Sequence, residues 1–84
     1  MCRNITELRG LEPPATEEEI TAAARQYVRK VSGLTKPNAS VIDAFEQAVA
    51  EVAATTTRLL EHCPPRRQPP PKEPPLRRIA ARSA

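Results

Sequence analysis

The chain has 84 residues with a formal net charge of +3, and it contains 10 prolines, one tyrosine, one phenylalanine and no tryptophan. A chain of this length has room for one small domain, whose core is too small to enclose a sizeable catalytic cavity. The composition therefore favours a non-catalytic protein, and we predict that it is not an enzyme.

Charge and proline divide the chain into two parts. Residues 1–63 contain seven Lys/Arg and nine Asp/Glu, whereas residues 64–84 contain six Lys/Arg, one Asp/Glu and seven of the prolines. A polyproline segment with interspersed cations has little to bury. We predict a three-helix module over residues 1–63 and a proline-rich basic disordered tail over residues 64–84, with a nascent helix at Leu76–Arg82.

The N-terminal segment predicts a short first helix. Asn4 and Glu7 have the spacing of a capping box, and Gly10 can end a helix of roughly one and a half turns. Pro13 and Pro14 then favour an extended linker, because a proline biases the preceding residue away from helical torsions.

Residues 16–33 carry the strongest helix pattern. Thr16 and Glu19 form a second capping box, and Gly33 offers a left-handed stop. Apolar residues recur at three- and four-residue spacing, which predicts one buried stripe. Its members are Ile20, Ala24, Tyr27, Val28 and Val31.

A second long helix is predicted from about Val41 to Leu60, with Asn38 or Ser40 as its cap and fraying or a bend near the threonines at 55–57. Its apolar face is formed by Val41, Phe45, Ala48, Val49, Val52 and Leu59. Two amphipathic helices joined by a short loop pack antiparallel. The predicted fold is therefore all-α: a short N-terminal helix plus an antiparallel two-helix hairpin.

Residues 11–20, LEPPATEEEI, resemble the start of the second helix of a J-domain, where a leucine and a short spacer precede Ala-Thr or Ala-Ser and Glu-Glu-Ile. The resemblance implies a J-domain-like architecture over about residues 5–55. J-domains act on their chaperone partner through a His-Pro-Asp tripeptide after this helix. Here the matching residues are Ser32, Gly33 and Leu34, so the resemblance does not imply co-chaperone activity.

A second resemblance rests on three segments, residues 1–5 (MCRNI), 12–16 (EPPAT) and 27–33 (YVRKVSG). They are similar to a family of small bacterial proteins known only as a domain of unknown function, family 2277. The likeness covers about residues 1–60, with the tail outside it. It implies a bacterial source and no particular activity.

Four cations around the end of the central helix form a candidate partner-binding surface: Arg25, Arg29, Lys30 and Lys36. J-domains dock through basic residues of the corresponding helix, so the resemblance implies a protein partner. The simpler interpretation is a solvated helix face, because cations near a helix C-terminus are stabilising in any case. We predict a small bacterial interaction module. A hairpin this small could also dimerise to complete its core.

The tail offers a second mode of attachment. Six cations there can neutralise phosphates of RNA, DNA or the ribosome: Arg66, Arg67, Lys72, Arg77, Arg78 and Arg82. Base-selective binding is not supported, because the tail has no aromatic side chain for stacking. Two alternatives stay open, namely recognition of residues 69–75 by an aromatic-lined groove, and a tail that only solubilises the domain.

Cys2, His62 and Cys63 are weak candidates for a zinc or iron site or a redox pair. The paired spacing of closed zinc sites is missing, so we favour two inert thiols and predict no cofactor. The first residues contain no apolar run typical of a signal peptide or a membrane span. We expect a cytoplasmic protein that does not contact membranes.

Overall fold

A computed structural model describes residues 4–64 and 74–77. These residues contain no β-strand and form two long helices, α1 (Glu17–Ser32) and α2 (Ile42–His62). Arg25 pairs with Glu46, while Ile20, nearer the start of α1, belongs to a cluster against which Ala53, farther along α2, packs. The helices are therefore antiparallel, and the predicted all-α class and two-helix hairpin are confirmed.

The ends of α1 are formed by its local sequence, as predicted. The Glu19 amide donates to Thr16 Oγ1 (3.1 Å), and the Thr16 amide donates to Glu19 Oε1 (2.8 Å). Both halves of the capping box are thus present. At the other end, Gly33 has φ 72°, and its amide donates to the Arg29 carbonyl oxygen. This left-handed cap satisfies a carbonyl that would otherwise lack a helical partner.

The start of α2 differs from the prediction. No side chain of the described residues caps it, because the Asn38 Oδ1 accepts hydrogen bonds from the amide and hydroxyl of Ser40 instead. The Asn38 main-chain oxygen accepts from the amides of Val41 and Ile42. The prediction that Asn38 or Ser40 caps the helix was wrong, since a local turn uses their polar atoms first.

The far end of α2 also extends beyond the prediction. The helix passes through residues 55–57 without interruption and ends at His62. The hydroxyls of Thr56 and Thr57 donate to the carbonyl oxygens of Val52 and Ala53, one turn earlier. These bonds occupy the hydroxyls within the helix, and the fraying expected there is not observed.

Two clusters make up the described core. Ala24 and Val28 of α1 pack with Phe45 and Val49 of α2 in the middle of the hairpin. The second cluster closes the end where the chain enters α1, and it consists of Leu8, Leu11 and Ile20 with partly buried Ala15, Ala53 and Leu60.

Three predicted stripe residues lie largely outside this core. Tyr27, Val31 and Leu59 are 48%, 67% and 63% exposed. Tyr27 and Val31 lie at the loop end of α1, where the described residues cover them only in part. On α2 the neighbouring Leu60, which the pattern left out, packs against the second cluster instead of Leu59.

The segment before α1 is not helical. Bends and a turn replace the short helix predicted between Asn4 and Gly10, and the Asn4 amide donates to Gln26 Oε1 (2.7 Å). A helix of so few residues gains few hydrogen bonds for the cost of nucleation. Burying Leu8 and Leu11 (8% and 6% exposed) against the hairpin stabilises the fold more than such a short helix would.

The described part of the tail differs from a disordered segment. Pro74 is buried, residues 75–77 are helical, and Arg77 contacts the start of α1. The rest of the predicted tail, residues 65–73 and 78–84, lies outside the described residues, and the domain boundary after residue 63 stays a prediction.

The left-handed cap at Gly33 gives a testable expectation. A Cβ at this position would meet no atom of the described residues within 4 Å, so backbone strain is what opposes Gly33→Ala there. We expect that substitution to lower the free energy of unfolding by about 1–2 kcal/mol, measured by urea denaturation. Gly33→Asn is the matched control. Asparagine tolerates this conformation, so the free energy of unfolding should fall less than in Gly33→Ala. Equal losses in the two variants would contradict the strain explanation.

Candidate interaction surfaces

A buried carboxylate lies at the start of α1. Glu19 is only 4% exposed, and its Oε2 accepts a hydrogen bond from Arg77 Nε (2.7 Å). Arg77 Nη2 donates to Glu19 Oε1 (3.2 Å) and to the main-chain oxygens of Pro13 (2.6 Å) and Pro14 (3.0 Å). We call the acceptor group formed by Pro13, Pro14 and Glu19 the arginine socket.

Arg77 and Thr16 keep the carboxyl of Glu19 ionised. Burial raises the pKa of this carboxyl, but the hydrogen bond from Arg77, the Thr16 amide, the positive charge of Arg77 and the Thr16 hydroxyl together lower the pKa below its ordinary value of 4.5. Glu19 therefore stays ionised although it is buried, because its neighbours replace the water that it has lost.

Arg77 was predicted as one of six tail cations available to phosphate, and the structure places it elsewhere. Its side chain is 15% exposed and is paired with Glu19. The other five, Arg66, Arg67, Lys72, Arg78 and Arg82, lie outside the described residues. No sequence pattern relates Arg77 to Glu19, since 58 residues separate them.

The four predicted partner-binding cations fall into two groups. Arg25 is held within the hairpin: its Nη1 and Nη2 donate to the two carboxylate oxygens of Glu46 (2.6 and 2.9 Å), and its Cζ lies 5.9 Å from the centroid of the Phe45 ring. The hydrogen bond to Glu46 raises the pKa of Arg25, and the same bond lowers the pKa of Glu46. Arg25 thus joins α1 to α2.

The other three cations, Arg29, Lys30 and Lys36, are exposed and form no ion pair among residues 4–64 and 74–77. Arg25, Arg29 and Lys30 line one shallow cleft of about 490 Å³, whereas Lys36 lies outside its lining.

Exposed apolar side chains also lie at the loop end of α1. Tyr27 and Val31 are four residues apart on α1 and so share one face, and Leu34, 37% exposed, follows the helix end. We call these six residues the loop-end surface: Tyr27, Arg29, Lys30, Val31, Leu34 and Lys36. The hydrophobic pattern identified Tyr27 and Val31 but assigned them to the core.

The predicted metal candidates are not shown to meet. His62 Nδ1 lies 2.7 Å from the Arg58 carbonyl oxygen, and the Cys63 thiol is free and partly exposed. Cys2 lies outside the described residues. Among the residues that the structure describes, no three His, Cys, Asp or Glu side chains are close enough to share a metal ion.

The ionisation of Glu19 predicts a pH-dependent stability. Its pKa is lower in the folded chain, so the ionised carboxylate stabilises the fold above the ordinary value of 4.5, and this contribution is lost as the pH falls through the folded pKa. We expect Glu19→Gln to cost about 3–5 kcal/mol at neutral pH and much less well below pH 4.5, measured by urea denaturation.

Glu46→Gln is the matched control for this experiment. It removes a carboxylate of the same charge from a pair whose side chains are 32% and 48% exposed, so its effect should be small. A Glu19→Gln variant that is no less stable than the Glu46→Gln variant at neutral pH would contradict the assignment.

Neither α1 nor α2 contains an apolar run that could cross a bilayer. Comparisons with curated proteins and with solved structures gave no match, so the resemblance to J-domains stays a prediction.

The family model of an uncharacterized conserved protein (DUF2277) matches residues 1–83. This match confirms the second resemblance and extends it, since the prediction that the likeness ends near residue 60 was wrong. The proline-rich segment and Arg77 lie within the matched region. The chain belongs to the DUF2277 family of uncharacterised conserved proteins.

Proposed function

We propose that this protein is a non-catalytic interaction module that binds an acidic protein segment through the loop-end surface. The observation that carries the proposal is the exposure of Val31 and Tyr27 at the same end of α1 as three exposed cations that form no ion pair among the described residues. A surface of this kind offers a partner both apolar area and complementary charge.

The apolar part supplies the affinity. Val31 lies on the core-facing stripe of α1, yet it is 67% exposed, because Val28 and Phe45 form the last buried contact before the loop. Covering a side chain of this size is worth on the order of 1.5–3 kcal/mol. Tyr27, at 48% exposure, adds a ring of the kind enriched at binding hot spots.

The charges supply the selectivity. Residues 27–43 contain three cations and a single acid, Asp43. Compensation of the helix dipole accounts for Arg29 and Lys30, which lie in the last turn of α1. It does not account for Lys36, four residues beyond the helix end, since the dipole acts only within the last turn. A partner with acidic side chains matches all three.

The two carboxylates with shifted pKa values support a non-catalytic protein, because both are paired with arginines. Glu19 and Glu46 have shifted pKa values, and each is already held by an arginine of the same chain. A general acid or base needs a carboxyl that can reach a substrate, and these two are engaged with Arg77 and Arg25.

The test is affinity purification from a lysate of the native host. We expect the Lys30→Glu and Lys36→Glu double variant to lose captured protein at least tenfold, because like charges then oppose an acidic partner. The measurement is quantitative mass spectrometry of the eluates, with circular dichroism to show that helix content is unchanged.

Arg9→Glu with Arg58→Glu is the matched control, because it makes the same change of charge away from the loop-end surface. Arg58 is an exposed residue of α2 that contacts Thr55. Equal losses in the two double variants would show that net charge alone governs capture. If the Lys30→Glu and Lys36→Glu variant still captures protein, and nuclease treatment abolishes that capture, the result would favour binding of nucleic acid through the tail instead.

A further inference from the structure

The arginine socket has the properties of a binding site for a guanidinium group. We propose that it binds guanidinium compounds as a class and that Arg77 is its resident, tethered ligand. The donors of Arg77 meet four acceptor atoms: both carboxylate oxygens of Glu19 and the main-chain oxygens of Pro13 and Pro14. This proposal is independent of the loop-end surface.

The socket is built by a short stretch of chain that does not include the tail. Its acceptors come from Pro13, Pro14 and Glu19, and the Thr16 amide holds the carboxylate through the capping box. A helix capping box is a local structure. The acceptors are therefore positioned by residues 13–19 and the helix that follows, whichever donor fills the site.

The arrangement fits a planar fork of donors better than a single point charge. Nε and Nη2 of Arg77 address different oxygens of Glu19, and Nη2 reaches both proline carbonyls as well. Guanidinium offers five N–H donors in a rigid plane, whereas ammonium presents three donors around one atom. An alkylammonium ion of similar size should fill the socket poorly.

A socket without Arg77 would be unfavourable in free energy, and it should therefore bind another guanidinium group. The Glu19 side chain is 3% exposed, and the described residues contain no buried side-chain nitrogen or oxygen without a hydrogen bond. Removal of Arg77 leaves a buried carboxylate without its counter-ion, and such a group is costly. An added guanidinium ion can restore the charge and the hydrogen bonds.

Tethering explains why the site is filled by its own chain. A ligand joined covalently to its site binds intramolecularly, and its effective concentration can reach the millimolar range. Free guanidinium groups compete with Arg77 poorly, so the site becomes available to an outside ligand when the segment carrying Arg77 is withdrawn. Pro74, which is also buried, makes the segment a better ligand than its guanidinium group alone.

The experiment is chemical rescue of Arg77→Ala in the full-length chain, followed by thermal unfolding in circular dichroism. We expect Tm to fall by about 10 °C or more. Millimolar methylguanidinium should then raise Tm measurably, and equimolar methylammonium should not. Free arginine and the acetylated tetrapeptide Pro-Pro-Leu-Arg-amide form two further arms, with the peptide effective at the lower concentration.

Two controls isolate the socket. Wild-type protein should show no rise in Tm, since Arg77 occupies the site, and the Glu19→Gln, Arg77→Ala double variant should show none, since the carboxylate is gone. The proposal is overturned by a folded Arg77→Ala variant that does not respond to methylguanidinium. An equal response to methylammonium, or an equal response of the double variant, also overturns it.

A second measurement decides the case if Arg77→Ala does not fold. In the wild-type chain the Arg77 Nε–H should give an NMR signal that exchanges with water at least tenfold more slowly than that of Arg29. Glu19→Gln should remove this protection. An Arg77 Nε–H that exchanges as fast as that of Arg29 overturns the proposal.

Discussion

The buried carboxylate of Glu19 joins the start of α1 to Arg77, which lies 58 residues farther along the chain. It completes the capping box with Thr16, it lies beside the Pro13 and Pro14 carbonyls, and it holds Arg77 from the far end of the chain. Breaking a buried ion pair by removing one partner costs about 3–5 kcal/mol. Small domains have only about 5–15 kcal/mol of stability in total, so this one group controls much of the fold.

Replacing a buried ion pair such as Glu19–Arg77 by well-packed apolar residues often leaves a protein equally stable. The main effect of this pair is therefore to fix the position of the tail at Arg77. The tail is therefore part of the folded unit at Arg77, and the family match through residue 83 includes it. Deleting residues 64–84 would remove the counter-ion of Glu19 together with the tail cations. If that deletion abolished binding, the cause would be ambiguous, because it both destabilises α1 and removes the positive charges of the tail. Substitutions of the other tail cations that keep Pro74 and Arg77 separate these two effects.

The parts of the fold that the sequence predicts correctly depend on neighbours within four residues. The capping box at Thr16 and the left-handed stop at Gly33 are of this kind. The errors have another origin. Burial of Leu8 and Leu11 outweighed a weak local helix signal, and hydrophobic spacing cannot show that the core ends before Val31. The pairing of Arg77 with Glu19 spans 58 residues, and a single sequence holds no periodic signal for it.

The two candidate sites lie at opposite ends of α1. Glu19 and Lys30 are eleven residues apart in one helix, which is about 16 Å along its axis. Substitutions separated by more than about 7–10 Å, with no shared partner, usually act additively. The six residues of the loop-end surface share no hydrogen bond or ion pair with the socket among the described residues. A partner bound at the loop end and a guanidinium group bound at the socket would therefore act independently, and coupling between them would require a change that runs through the whole helix.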